Sequence, residues 1–204
     1  MRKQSKMGPR SGYIKYIIGL IGMKLAGWKV QIDELNHDKV VIIAAPHTSN
    51  WDFVVVMGTV FLARIKFSWM AKESLFKNPL GLFMRALGGI PIDRANAKDV
   101  VGGTIKAFNQ SEKLFIGITP SGTRKKTEYW KSGFYRIAIG AKVPIACGYL
   151  DYKRKVAGIG LTFIPTGNIS KDMDRIREFY QQKMGKHPEL TSIIRLKNEQ
   201  TIEI

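Results

Sequence analysis

Short apolar runs alternate with longer helical patterns along most of this chain, and that alternation restricts the fold more than any other feature. The runs KVVIIAA, FSWMA, GIPID, KLFIGIT, PIACGYL and AGIGLTFIP have strand length, whereas helical patterns fall at 51–64, 79–87, 98–109, 133–141 and 171–183. Such an alternation argues for βα units around a largely parallel sheet. The expectation is a single α/β domain, a mostly parallel central sheet flanked by helices. Its 204 residues, 45% of them hydrophobic, suffice for one sizeable core. No repeat, low-complexity tract or linker divides the chain, and the tail after Pro188 has only weak periodicity.

The start of the chain has a different character. Its first 30 residues carry seven basic residues and no acidic one, and the segment YIKYIIGLIGMKLAGWKV is apolar enough to be mistaken for an export signal. Lys15 and Lys24 interrupt it and no small-residue cleavage site follows. The charge-free run 16–23 falls far short of the about 20 residues that cross a bilayer. Ile14, Ile17, Ile18, Ile21 and Leu25 recur at helical spacing, with Lys24, Trp28 and Lys29 where an interfacial helix keeps its anchors. Residues 1–29 therefore read as a basic amphipathic helix lying on a membrane. The plainer alternative is a first helix packed on the core with its lysines in water.

Charge bounds the partners. With 33 Lys and Arg against 16 Asp and Glu, the formal net charge of +17 exceeds what solubility requires and calls for an anionic partner. Nucleic acid, a phospholipid surface and a phosphorylated substrate all qualify. The single cysteine, Cys147, excludes an intrachain disulfide, and no Cys and His cluster has zinc spacing, which fits a reducing, cytosol-facing compartment.

Directly after the apolar run VVIIAA comes PHTSNWD, which sets His47 five positions ahead of Asp52. On an uninterrupted helix, residues five apart lie about 140° apart around the axis, so the two side chains would not share a face. They meet only through a turn. Pro46 ends the strand and Ser49 or Asn50 can cap the next helix, which leaves His47 outside it and Asp52 in its first turn. A carboxylate held on one ring nitrogen fixes the tautomer and leaves the other nitrogen to accept a proton. The mouth of a strand is also where sites form in open α/β sheets. The competing reading is a helix-capping Asp beside an unrelated His.

Three further segments add cations to strand ends. GGIPIDRAN delivers Asp93 and Arg94, ITPSGTRKK presents Gly122, Thr123, Arg124, Lys125 and Lys126 in a turn, and KVPIACGYL enters another buried strand through Pro144. Arginine's planar fork suits a phosphate, and a glycine-bearing turn exposes backbone donors to it. Two arginines from separate strand ends could clamp one phosphate beside His47. Each basic turn alone is more often a solvated surface loop.

Taken in order, HTSNWD, GGIPIDR, SGTR and VPIA resemble the motifs of the lysophospholipid acyltransferase family, typified by 1-acylglycerol-3-phosphate acyltransferases. Those motifs are His-x-x-x-x-Asp, an Arg-bearing segment, Glu-Gly-Thr-Arg and Val-Pro-Ile, and the match covers residues 41–150. The resemblance implies an αβ acyltransferase domain over 30–204, with its active site at the strand ends and an N-terminal helical element on the membrane. It implies an O-acyltransferase of phospholipid biosynthesis that moves a fatty acyl chain from acyl-CoA or acyl carrier protein to a lysophospholipid hydroxyl. His47, oriented by Asp52, would take the hydroxyl proton directly, with no acyl-enzyme, metal or further cofactor. Arg94 and Arg124 would bind the head-group phosphate in a pocket shaped by Ser121, Gly122 and Thr123. Backbone donors near the turn at 48–51 could stabilise the oxyanion, at a position the sequence does not locate. The protein would work peripherally on the cytoplasmic face of an anionic membrane.

Two departures stand out. Ser121 replaces the family's usual Glu, and Cys147 stands where a second proline is usual. The first opens the acceptor to a lyso-aminolipid with a free carboxylate in place of 1-acylglycerol-3-phosphate. Cys147, inside an apolar run, reads as an inert core thiol. Other chemistries fit less well: Thr119 and Thr123 occupy both glycine positions of G-x-S-x-G around Ser121, and SGTRKK lacks the ending of a Walker A loop. A nucleic-acid-binding protein is the rival from a different class, on charge and on Tyr129, Trp130, Phe134 and Tyr135 among basic residues, but it gives His47 and Asp52 no role and is not expected.

Overall fold

The computed structural model describes residues 12–33, 35–77, 79–92 and 97–199. Seven strands form one sheet: β1 (Lys29–Ile32), β2 (Lys39–Ala45), β3 (Ser68–Lys72), β4 (Gly89–Ile92), β5 (Leu114–Ile118), β6 (Ile145–Asp151) and β7 (Val156–Phe163). Their spatial order is β1-β7-β6-β2-β5-β3-β4, and of the pairings only β6 with β7 is antiparallel. The helices are α1 (Tyr13–Leu25), α2 (Trp51–Leu62), α3 (Leu80–Ala86), α4 (Ala97–Gln110), α5 (Gly133–Ala141) and α6 (Ile169–Tyr180). Strands β2 to β7 and helices α2 to α6 are those the alternating pattern predicts.

β2 lies at the centre because it is apolar on both sides. Val41, Ile43 and Ala45 pack with Phe108, Phe134, Ile137, Met173 and Ile176 from α4, α5 and α6. Val40 and Ile42 turn to the opposite face, against Val60 of α2 and Ile65, Phe67 and Phe115. Successive strand residues point to opposite faces, so a strand covered on both sides must be apolar throughout. Truncating fully buried Ile43 to Ala would cost about 2–5 kcal/mol.

The helix that leaves β2 thus covers one face, and the helix that leaves its neighbour β5 covers the other. Where adjacent strands send their connections to opposite faces, a crevice opens at their carboxyl ends. His47 follows β2 and Ser121 follows β5, so the two sequence motifs flank that crevice.

Two elements differ from the expected pattern. The N-terminal helix stops at Leu25 instead of running on to Lys29, because Gly27 takes a left-handed φ of +72°. Gly27 N–H donates to the Lys24 carbonyl and Trp28 N–H to the Met23 carbonyl, the paired bonds of a Schellman stop. The chain is then free to form β1, an edge strand that the apolar runs did not reveal because Lys29 and Gln31 alternate with its inward residues. The last helix starts at Ile169 because the Asn168 side chain accepts from Lys171 N–H and caps it.

α1 packs closely on α2. A side chain at Gly19 would meet the Gly58 carbonyl at 2.9 Å, and Met23 is buried against Gly58. One side of α1 is bare: Ile14, Ile18, Ile21 and Leu25 are exposed while Ile17 is half-buried, and Leu80, Leu82 and Phe83 of α3 are exposed too. Among the described residues no helix is long and apolar enough to cross a membrane. The tail returns over the domain, with Trp130 bridging to Leu196 and Thr127 N–H donating to the Ser192 hydroxyl.

Candidate active site

Pro46 ends β2, and the turn that follows folds Asp52 back onto His47. Nδ1 of His47 donates to Oδ2 of Asp52 at 3.0 Å, and the same oxygen accepts from Thr48 N–H at 2.8 Å and Ser49 N–H at 2.9 Å. Ser49 returns the favour to the helix, its hydroxyl accepting from Trp51 N–H at 3.2 Å. This is the reciprocal logic of a capping box with Asp as the acid. One carboxylate both caps the helix and holds His47, so the histidine is not unrelated to the cap.

The other oxygen has its own partner. Oδ1 of Asp52 accepts from the Tyr152 hydroxyl at 2.8 Å. Burial disfavours the charged form of Asp52, but the bonds from His47, Ser49, Tyr152 and Thr48 outweigh it and hold the carboxyl below its ordinary value. An ionised carboxylate only accepts, so Nδ1 carries the proton and Nε2 is the basic nitrogen. Such an imidazole can take a proton from a hydroxyl beside it.

The turn after β5 forms the opposite wall. Ser121 is buried and donates to the Thr123 carbonyl at 2.9 Å, and it lines a small cavity beside His47 with Pro120, Trp130 and Lys183. Gly122 has a φ of +64°, a conformation that favours glycine, and faces Lys131. The Thr123 hydroxyl accepts from Lys125 N–H, and Arg124, Lys125 and Lys126 are exposed. Past Pro120 and Trp130 opens a cavity of about 1190 Å³ with Met70, Ile118, Phe134 and Ile137 in its walls and Lys131, Arg136 and Lys197 along it. Asp93 and Arg94 lie outside the described residues.

Two readings from sequence change here, and the reading of Cys147 as an inert core thiol holds. The N–H groups of Thr48, Ser49 and Trp51 are already engaged by Asp52 and Ser49, so this turn does not offer them to an oxyanion. Trp130, Phe134 and Tyr135 are core residues at 4%, 0% and 1% exposure and cannot stack on nucleobases, which removes most of the aromatic support for nucleic-acid binding. Cys147 is fully buried, and burial pushes its thiol up to about 12, the state of an inert core residue.

Tyr152 and Lys183 at the site escaped the sequence reading, in which Trp130 figures only as an aromatic for nucleic acid. Tyr152 sits 100 positions from Asp52, in the turn between β6 and β7, and no local motif marks it. The tail also contributes, because His187 N–H donates to the Thr48 hydroxyl at 3.1 Å and braces the histidine turn from outside.

Comparison with known proteins follows this geometry. A family model described as Acyltransferase matches residues 28–149. The chain is 33% identical over 154 residues to the 1-acyl-sn-glycerol-3-phosphate acyltransferase of Streptococcus pneumoniae (strain ATCC BAA-255 / R6), across 70% of this chain and 55% of that protein. It is 34% identical over 136 residues to the 1-acyl-sn-glycerol-3-phosphate acyltransferase of Bacillus subtilis (strain 168), across 65% of this chain and 64% of that protein. The matched region therefore spans less than two thirds of either relative. The crystal structure of the 1-acyl-sn-glycerophosphate (LPA) acyltransferase PlsC from Thermotoga maritima shares the fold, with a TM-score of 0.55 at 17% identity over 82% of this chain and 74% of that one.

Proposed function

The chain belongs to the acyltransferase family, and on that premise we propose that it esterifies a lysophospholipid, with 1-acylglycerol-3-phosphate as the leading acceptor and His47 as the general base. The observation that carries this is the His47 and Asp52 pair, joined at 3.0 Å in the crevice between β2 and β5. Nε2 takes the proton of the acceptor hydroxyl as its oxygen attacks the thioester carbonyl of acyl-CoA or acyl carrier protein. A C–O bond forms, the C–S bond breaks, and the imidazolium returns its proton to the departing sulfur. Asp52 stabilises the imidazolium and keeps the ring in one tautomer.

The neighbouring cavity supports an amphiphilic substrate. Its apolar walls and lysine and arginine border match an acyl chain joined to an anionic head group. Arg124, and Arg94 from the other strand end, are the proposed phosphate ligands, with Gly122 and Thr123 shaping the turn.

Purified protein should convert lysophosphatidate and an acyl thioester to phosphatidate, read by mass spectrometry, and His47→Ala should not. Absence of any ester product from a panel of lysophospholipids would defeat the proposal.

A peripheral membrane position belongs to the same reading. The bare side of α1, with Ile14 at 77% and Ile18 at 57% exposure, suits insertion into an acyl boundary while nearby lysines meet anionic head groups. Ile14→Asp with Ile18→Asp should weaken sedimentation with anionic vesicles about tenfold or more and leave the fold intact. Unchanged sedimentation would remove α1 from the contact.

A further inference from the structure

We propose that Tyr152 is a positioning residue for the His47 and Asp52 pair, and that Trp28 ties it to the end of α1, so one relay joins the surface helix to the general base. The inference rests on the acyl-transfer reading of that pair. Its geometry is independent of it.

The relay starts at the carboxylate. Oδ2 of Asp52 is shared by His47 and two backbone N–H groups, whereas Oδ1 takes the Tyr152 hydroxyl at 2.8 Å. Asp52 is only 2% exposed, so removing that donor leaves a buried charged oxygen short of a partner. The donors on Oδ2 alone do not fix rotation of the carboxylate plane. Tyr152 pins the second oxygen, and with it the direction in which Oδ2 meets Nδ1. Burial and the bond to Asp52 both raise the Tyr152 phenol above its ordinary value, so it stays a donor throughout the working range.

The tyrosine is itself held from the far side. Its ring meets Trp28 edge-on, with centroids 4.9 Å apart and planes at 89°. Trp28 is the residue whose N–H closes α1 on the Met23 carbonyl at 2.9 Å. Met23, Val55 of α2, Leu150 and Ala157 form one buried cluster with Trp28 and Tyr152 against it. Two more bonds clamp the same corner: Lys155 Nζ donates to the Ala26 carbonyl at 3.2 Å, and Lys29 N–H donates to the Lys155 carbonyl at 2.9 Å. The end of α1 and the hairpin carrying Tyr152 are thus built as one unit. A shift of α1 would reach Asp52 through two side chains.

The test uses the full chain, lysophosphatidate and acyl-CoA. Tyr152→Phe should lower kcat about tenfold to a hundredfold, the scale of one hydrogen bond to a charged group, with KM for both substrates nearly unchanged and the melting temperature lowered by the lost partner. In an Asp52→Asn background the same change should cost nothing further, because its partner charge is gone. Trp28→Leu should lower kcat several-fold in the wild type but not in Tyr152→Phe, and Trp28→Phe, which keeps an aromatic edge, should restore most of the rate. Wild-type kcat in Tyr152→Phe beside an inactive His47→Ala would overturn the relay alone. An equal loss in the Asp52→Asn background would reduce Tyr152 to a packing residue. Turnover by His47→Ala would overturn the relay and the reaction mechanism together.

Discussion

The two turns that face each other across the crevice are built to different standards. After β2, one buried carboxylate gathers a ring nitrogen, two backbone N–H groups and a phenol. After β5, Ser121 and Thr123 bond within their own turn, and the cations Arg124, Lys125 and Lys126 stand in solvent. The first turn fixes a direction to a fraction of an ångström, as proton transfer needs. The second offers charge over a range of positions, which under the proposed function would suit a head group of variable chemistry.

The sharpest way to break the contrast is at the rigid turn. His47→Ala should abolish acyl transfer, and Asp52→Asn should lower the rate by about two to four orders of magnitude in a protein that still folds, as measured in a coupled thiol-release assay. A rigid site should react this steeply because, among the described residues lining the small cavity, His47 carries the one imidazole.

The open turn should respond more softly and only toward one substrate. Arg124→Lys should raise the acceptor KM about tenfold with little change for the thioester, because an ammonium cannot reproduce the guanidinium fork. Equal loss for both substrates would place Arg124 elsewhere in the chemistry. Smaller still is the effect of restoring the carboxylate that the family usually carries. Ser121→Glu should narrow acceptor use by a few-fold, read by competition between lysophosphatidate and a lyso-aminolipid at equal concentration. Its cost includes the lost bond to Thr123 and the crowding of a buried position.

The smallest effect is on stability and belongs to the rigid turn. Asp52 ionises below its ordinary value of 3.8, so its bonds contribute fully above that pH and are lost as pH falls through the lower folded value. Wild type should therefore lose more stability on acidification below 3.8 than Asp52→Asn does, in urea melts run at matched pH. Parallel losses would mean that the carboxylate is not held in the folded state.

Much of this was legible in residue order. KVVIIAA had to be a strand covered on both faces, and a histidine just past Pro46 with an acid in the next helix's first turn had few ways to avoid meeting it. Periodicity and turn chemistry are local, so they survive in the sequence. β1 was not legible, because an edge strand of four alternating residues makes its hydrogen bonds to β7, more than a hundred positions away. The Gly27 stop was visible only as a glycine. Tyr152 and Trp28 belong to the same class: their roles come from a hairpin and a helix end brought together by the sheet order β1-β7-β6-β2. The sequence determined which groups could do the chemistry, since ionisation and hydrogen-bonding capacity reside in single side chains. The tertiary structure decided which of them are held rigid, because a buried carboxylate takes its direction from every donor that long-range packing delivers to it.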